Sequence, residues 1–78
     1  MALVVHVTKS KSVAVASFAE AAKLVVAQWG SKSYHAMYRD PKAGIIEQDG
    51  VPYAHVSYNG RVWATPNRLA NNAPEIAI

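Results

Sequence analysis

The chain contains no cysteine, which excludes disulfide staples, thiolate metal sites and a cysteine nucleophile, and leaves sulfur silent on the redox compartment. Acids are scarce as well: Glu20, Asp40, Glu47, Asp49 and Glu75 are all there are. Glu20 is accounted for by a helix cap, Asp49 by a turn and Asp40 by a loop before Pro41, so only Glu47 and Glu75 remain for acid–base work. No G-x-S-x-G elbow and no glycine-rich phosphate loop occurs. His6, His35 and His55 lie on separate strand candidates without H-E-x-x-H spacing, which gives no metal site to build. No apolar run approaches the roughly 18 residues of a membrane span, and Met1-Ala2-Leu3-Val4-Val5 lacks the basic start of a signal peptide. The expectation is a cytoplasmic protein that is not an enzyme, has no cofactor or metal, and has no membrane to cross.

What is present is a chain of 78 residues, 51% apolar, with a net charge of +3. That length allows one domain, which buries about 60–65% of its unfolded surface and so has a thin core. Residues 1–66 form the expected domain. Residues 67–78 are a C-terminal segment whose apolar ending Pro74-Glu75-Ile76-Ala77-Ile78 would dock on the core, on a sheet edge or on another chain. Leu3–Thr8 alternates with period two and reads as a strand. Val13–Ala16 is either a short return strand or an extended lead into a helix. Ser17-Phe18-Ala19-Glu20 matches a capping box, Phe18, Ala21, Ala22, Val25 and Trp29 recur at helical spacing, and Gly30 supplies a left-handed stop, which predicts a helix over 18–29. Tyr34–Tyr38 reads as a further strand candidate.

Two turn dipeptides, Asp49-Gly50 and Asn59-Gly60, divide the next part into a meander of Ile45–Gln48, Val51–Tyr58 and Arg61–Ala64. Pro52 donates no hydrogen bond, so a strand start or a bulge is expected around it. With a two-residue type I′ turn at Asn59-Gly60, Tyr58 opposes Arg61 and Val56 opposes Trp63. Ala54, Val56, Tyr58, Arg61 and Trp63 then share one face, and Tyr53, His55, Ser57, Val62 and Ala64 the other. The predicted fold is α+β: a single helix packed on one face of a four- or five-stranded antiparallel sheet, in the order β(β)αβββ, with Trp29 and Trp63 in its core.

A single helix covers only one face of such a sheet. Unless the C-terminal segment or Met37 and Tyr38 fold over the other, Ile46, Tyr53, His55 and Val62 are left to a partner. The partner-binding residues expected on this basis are Tyr53, His55 and Val62, with Arg61 and Arg68 as flanking charges. A protein partner leads, a second copy in a homodimer included. The alternative is a small basic nucleic-acid-binding domain, because Lys9, Lys11, Lys32, Arg39, Lys42, Arg61 and Arg68 are interleaved with Tyr34, Tyr38, Tyr53, Tyr58 and Trp63.

The segments Ser17-Phe18-Ala19-Glu20-Ala21 and Ser57-Tyr58-Asn59-Gly60-Arg61-Val62-Trp63 together resemble small uncharacterised proteins of bacterial phages, plasmids and integrated elements. In these a capped helix precedes an S-Y-N-G-R-V-W hairpin. The resemblance covers the helix and the final hairpin and leaves residues 1–16 and 64–78 outside it. It implies a shared α+β fold and, from the size and source of such proteins, an interaction module that modulates a host protein in the manner of host-defence inhibitors.

Overall fold

A computed structural model describes residues 2–32, 34–69 and 73–78. Its elements are β1 (Leu3–Thr8), β2 (Lys11–Val15), α1 (Phe18–Trp29), α2 (Tyr34–Arg39), β3 (Ile45–Gln48), β4 (Val51–Val56), β5 (Val62–Trp63) and β6 (Glu75–Ile76). The strands form one six-stranded antiparallel sheet in the order β2-β1-β3-β4-β5-β6. The α+β class is as expected; the sheet exceeds the predicted four or five strands. The residues around 13–16 belong to a true return strand, and the C-terminal segment adds β6 along β5.

α1 begins where the capping pattern predicts. The Ser17 hydroxyl accepts from the Glu20 N–H at 3.2 Å. Ala21, Ala22, Val25 and Trp29 are buried against a sheet face made by Leu3, Val5, Val7, Ile46, Ala54, Val56 and Val62. The buried Trp29 indole N–H donates to the Val7 carbonyl at 2.7 Å, which satisfies the polar end of a large apolar ring and fixes the helix over β1. Gly30 is right-handed, with φ −61°, and not the left-handed stop expected.

Tyr34–Arg39 is a helix, not a strand. Its short run can be read with either period, and tertiary packing decides: Met37 is fully buried, in contact range of the space above Gly44, where an added β-carbon would lie 2.9 Å from Met37 Cε and 2.5 Å from the Val56 carbonyl oxygen. Asp40, just after α2, accepts from the backbone N–H groups of Lys9 at 2.9 Å, Lys42 at 2.9 Å and Ala43 at 3.0 Å. Burial alone would raise its pKa. Those three donors and the Arg68 charge outweigh that effect, so its carboxyl is held below the usual range.

The two turn dipeptides resolve differently. Asp49 and Gly50 both have positive φ, 54° and 84°, as a type I′ turn requires, and Gln48 opposes Val51 across it. At the second turn Gly60 alone is left-handed, with φ 86°. Ser57 N–H donates to Arg61 O at 2.7 Å and Gly60 N–H to Ser57 O at 2.9 Å, so Tyr58, Asn59 and Gly60 form a three-residue loop. The extra residue shifts the register by one: Val56 opposes Val62, and His55 opposes Trp63. A one-residue shift transfers every following side chain to the other face. The physical reason lies in the pattern itself, since the two-residue turn would press the charged Arg61 into the core and leave Val62 outside. Near Pro52 the expected bulge forms, with Tyr53 as the extra residue between Ala54 (opposite Ile46) and Pro52 (opposite Glu47).

Candidate polyanion-binding surface

The register shift separates the residues expected to form one contact face. Val62 is fully buried under α1. His55 is on the opposite face yet only 2% exposed, covered by the loop that follows β5. Its Nδ1 lies 2.6 Å from the Thr65 carbonyl; a carbonyl only accepts, so this nitrogen carries the proton. Burial first, and the nearby Arg68 charge second, depress its pKa below the ordinary value, against the opposing effect of the Thr65 bond. Ile46 is also fully buried. Tyr53 stays 44% exposed, with its ring stacked 6.1 Å from that of Phe18 on the α1 side. Arg61 is exposed, 4.0 Å from Glu75. The predicted set therefore spans both faces and the core, and does not make one surface. Trp63, expected in the core with Trp29, is half-buried on the face away from α1.

What the fold does bring together is charge. Because the strands are antiparallel, β1 ends, β2 begins, β3 begins and β4 ends at the same edge of the sheet. Lys9 and Lys11 lie at the β1–β2 turn, Arg39 and Lys42 flank the short link between α2 and β3, Lys32 lies beyond α1, and Arg61 follows the β4–β5 loop. Two hydrogen bonds join these connections into one surface: Lys9 N–H to Asp40 closes the first turn onto the α2–β3 link, and the Tyr58 hydroxyl donates to Lys32 O at 2.5 Å. Arg68 returns to the same end through the loop after β5. Its Nη1 donates to Ala43 O at 3.0 Å and Met37 O at 3.4 Å, and its guanidinium sits 5.6 Å from the Tyr38 ring centroid.

Seven of the eight lysines and arginines, all but Lys23, thus gather at one end, against two acids, Asp40 and Glu75, the latter 4.0 Å from Arg61. At the other end lie Glu20, in the first turn of α1, and Asp49, in the β3–β4 turn. Between them Glu47 sits 3.1 Å from His6 Nε2, a buried nitrogen with no hydrogen-bond partner among the described residues. The six residues of β1 separate the two ends by about 20 Å at ~3.3 Å per residue. That is more than twice the ~8 Å Debye length at physiological salt, so the far acids do not cancel the basic end.

Two hollows open at this end and share Tyr38 as a wall. One, of about 280 Å³, is lined by Tyr38, Ser57, Tyr58, Asn59 and Trp63. The other, of about 290 Å³, lies among Tyr38, Pro41, Ile45, Pro66, Arg68 and Leu69, and Leu69 is 86% exposed at its rim. These residues are scattered along the sequence, and only the fold brings them together. Among the described residues no three His, Cys, Asp or Glu side chains are grouped to hold a metal ion, and no helix is long and apolar enough to cross a membrane. Comparison with family models, with curated proteins and with solved structures gives no match.

Proposed function

We propose that this protein is a non-enzymatic binding module whose basic end engages an anionic polymer, the nucleic-acid-binding reading of the sequence. The observation that carries it is the segregation of seven cations against two carboxylates, Asp40, already committed to three backbone N–H groups, and Glu75, which faces Arg61 at 4.0 Å. Such an end attracts a polyanion at long range and releases counterions on contact. The fold uses Lys9 and Lys42 through their backbone N–H groups, and Arg39 is exposed at the end of α2, so their charges are available to a partner.

The test is a salt series with a labelled single-stranded oligonucleotide. Five phosphate contacts give a slope of about −3.5 in log affinity against log salt, roughly a hundredfold loss between ~50 and ~200 mM. A Lys9→Gln/Arg39→Gln/Lys42→Gln triple variant should stay folded and flatten that slope by about two units, at ~0.7 per phosphate. A flat salt dependence in the parent, or an unchanged slope in the variant, removes this reading.

A second reading, a protein partner such as the host protein that the mobile-element resemblance implies, is favoured by one observation. Ala19, Ala22, Val26, Ala27, Gly60 and Ile78 line an open apolar groove of about 540 Å³ along α1, with Val26 42% and Ile78 64% exposed. Val26→Asp would abolish capture of such a partner from nuclease-treated lysate and leave polyanion binding intact. If capture survives that substitution, the groove is not the contact.

A further inference from the structure

We propose that the cleft walled by Tyr38, Tyr58 and Trp63 receives an unstacked nucleobase, so that the polymer held by the basic end is single-stranded nucleic acid. This rests on the polyanion reading above and specifies its ligand. The three rings come from three elements, α2, the β4–β5 loop and β5, and converge with Ser57 and Asn59 around about 280 Å³. That volume is just below the ~300–1,000 Å³ of pockets that enclose a drug-sized molecule, and suits a single planar ring that enters with its backbone left outside.

The position of Trp63 points most directly to a stacked base. The three-residue loop turns its indole away from the α1 core, and leaves a large ring half-buried beside two other aromatics, opposite Glu75 on β6 and two residues from Arg61. Each cation needed for the flanking phosphates is tied to a wall of the cleft. Arg39 follows Tyr38 in the chain, Arg68 lies over the Tyr38 ring, Arg61 is two residues before Trp63, and Lys32 holds the Tyr58 hydroxyl through its carbonyl. Rings that accept a base by its face, with cations tracking the backbone, are the means by which single strands are held with little sequence preference. Ser57 and Asn59 fit that tolerance, since the Ser57 hydroxyl lies against Asn59 Oδ1 and Arg61 O, and Arg61 N–H donates to Asn59 Oδ1 at 3.4 Å. In a duplex the base faces are already stacked and cannot enter.

The experiment compares a mixed-sequence single-stranded oligonucleotide, its duplex, heparin and an acidic peptide containing one tryptophan, each by anisotropy and by intrinsic tryptophan emission. Trp29 is buried and bonded to Val7, so it provides a constant background. The expected result is quenching of the parent by the single strand and not by heparin, together with an affinity loss of about tenfold or more in Trp63→Ala for the single strand alone. Should Trp63→Ala fail to fold, the parent quenching measurement and a Trp63→Phe variant, which retains a stacking face, decide the matter. Equal losses for single strand and heparin, or duplex binding as tight as single-strand binding, overturn the inference and leave the basic end standing. Tighter binding of the peptide than of the oligonucleotide overturns it in favour of a protein ligand. Failure of both heparin and oligonucleotide to bind removes the polyanion reading as well.

Discussion

Replacing Gly60 by alanine measures the turn on which the whole face assignment depends. Gly60 has φ 86°, a conformation costing an L-residue about 1–2 kcal/mol; the stiffer unfolded chain of alanine returns about 0.4–1 kcal/mol. The same two effects apply at Gly50, with φ 84° and no atom within 4 Å of an added β-carbon. At Gly60 that carbon would meet Val26 Cγ2 at 3.1 Å, and Val26 is 42% exposed, so it can swing aside at a cost of a few tenths of a kcal/mol. Gly60→Ala should therefore destabilise by about 1 kcal/mol and exceed Gly50→Ala slightly. In a domain of this size that lowers Tm by about 4–8 °C. Urea and thermal unfolding followed by circular dichroism provide the measurement, and in a Val26→Ala background the excess over Gly50→Ala should vanish. If Gly60→Ala is as stable as the parent, Gly60 is not held left-handed and the three-residue loop is wrong; if the excess persists without the Val26 methyl groups, the contact is not its cause.

The same register predicts that Val62→Ala, at a fully buried site, costs about 2 kcal/mol and more than Trp63→Ala; the opposite order in urea melts would restore the two-residue turn. His55, whose folded pKa is depressed by burial, stabilises fully above its unfolded value of 6.5, and this contribution is lost as pH falls through the folded pKa, because the unfolded chain then binds the extra proton. Unfolding free energies measured from pH 7 down to about 5 should fall more steeply in the parent than in His55→Gln, and parallel slopes would refute the assignment.

Local chemistry was legible in the sequence where one element decided the outcome alone. The Ser17 cap, the stripe Ala21–Ala22–Val25–Trp29, the Asp49-Gly50 turn and the bulge near Pro52 all depend on neighbouring residues, and all form. Tyr34–Arg39 was not legible, because its strand or helix character depends on whether Met37 finds a hole to fill at Gly44. The contact face was lost through one residue of register. Asn-Gly is strong as a turn signal and weak as a length signal, and the burial of Arg61 against that of Val62 decides between two and three residues. That comparison was available in the sequence, since Arg61-Val62-Trp63-Ala64 offers a charged or an apolar first core position.

The basic end illustrates a different kind of hidden information. Read along the chain, Lys9, Lys11, Lys32, Arg39, Lys42, Arg61 and Arg68 look evenly spread, and a net charge of +3 looks too small to matter. An antiparallel chain, however, reverses at every connection, so alternate connections return to the same end. The β1–β2 turn, the α1–α2 and α2–β3 links, both kept at one end by the shortness of the six-residue α2, and the β4–β5 loop all carry a cation and meet at that end; the β3–β4 turn at the opposite end carries Asp49 and no cation. The alternation lets a modest net charge become a locally large one, and it does so without crowding like charges inside any single element. The long loop 64–69 then adds Arg68, whose Nη1 is bonded to Met37 and Ala43 beside Tyr38. A guanidinium spanning two carbonyls and an aromatic face is oriented before any ligand arrives, and that orientation ties the charged end to the aromatic cleft as one surface.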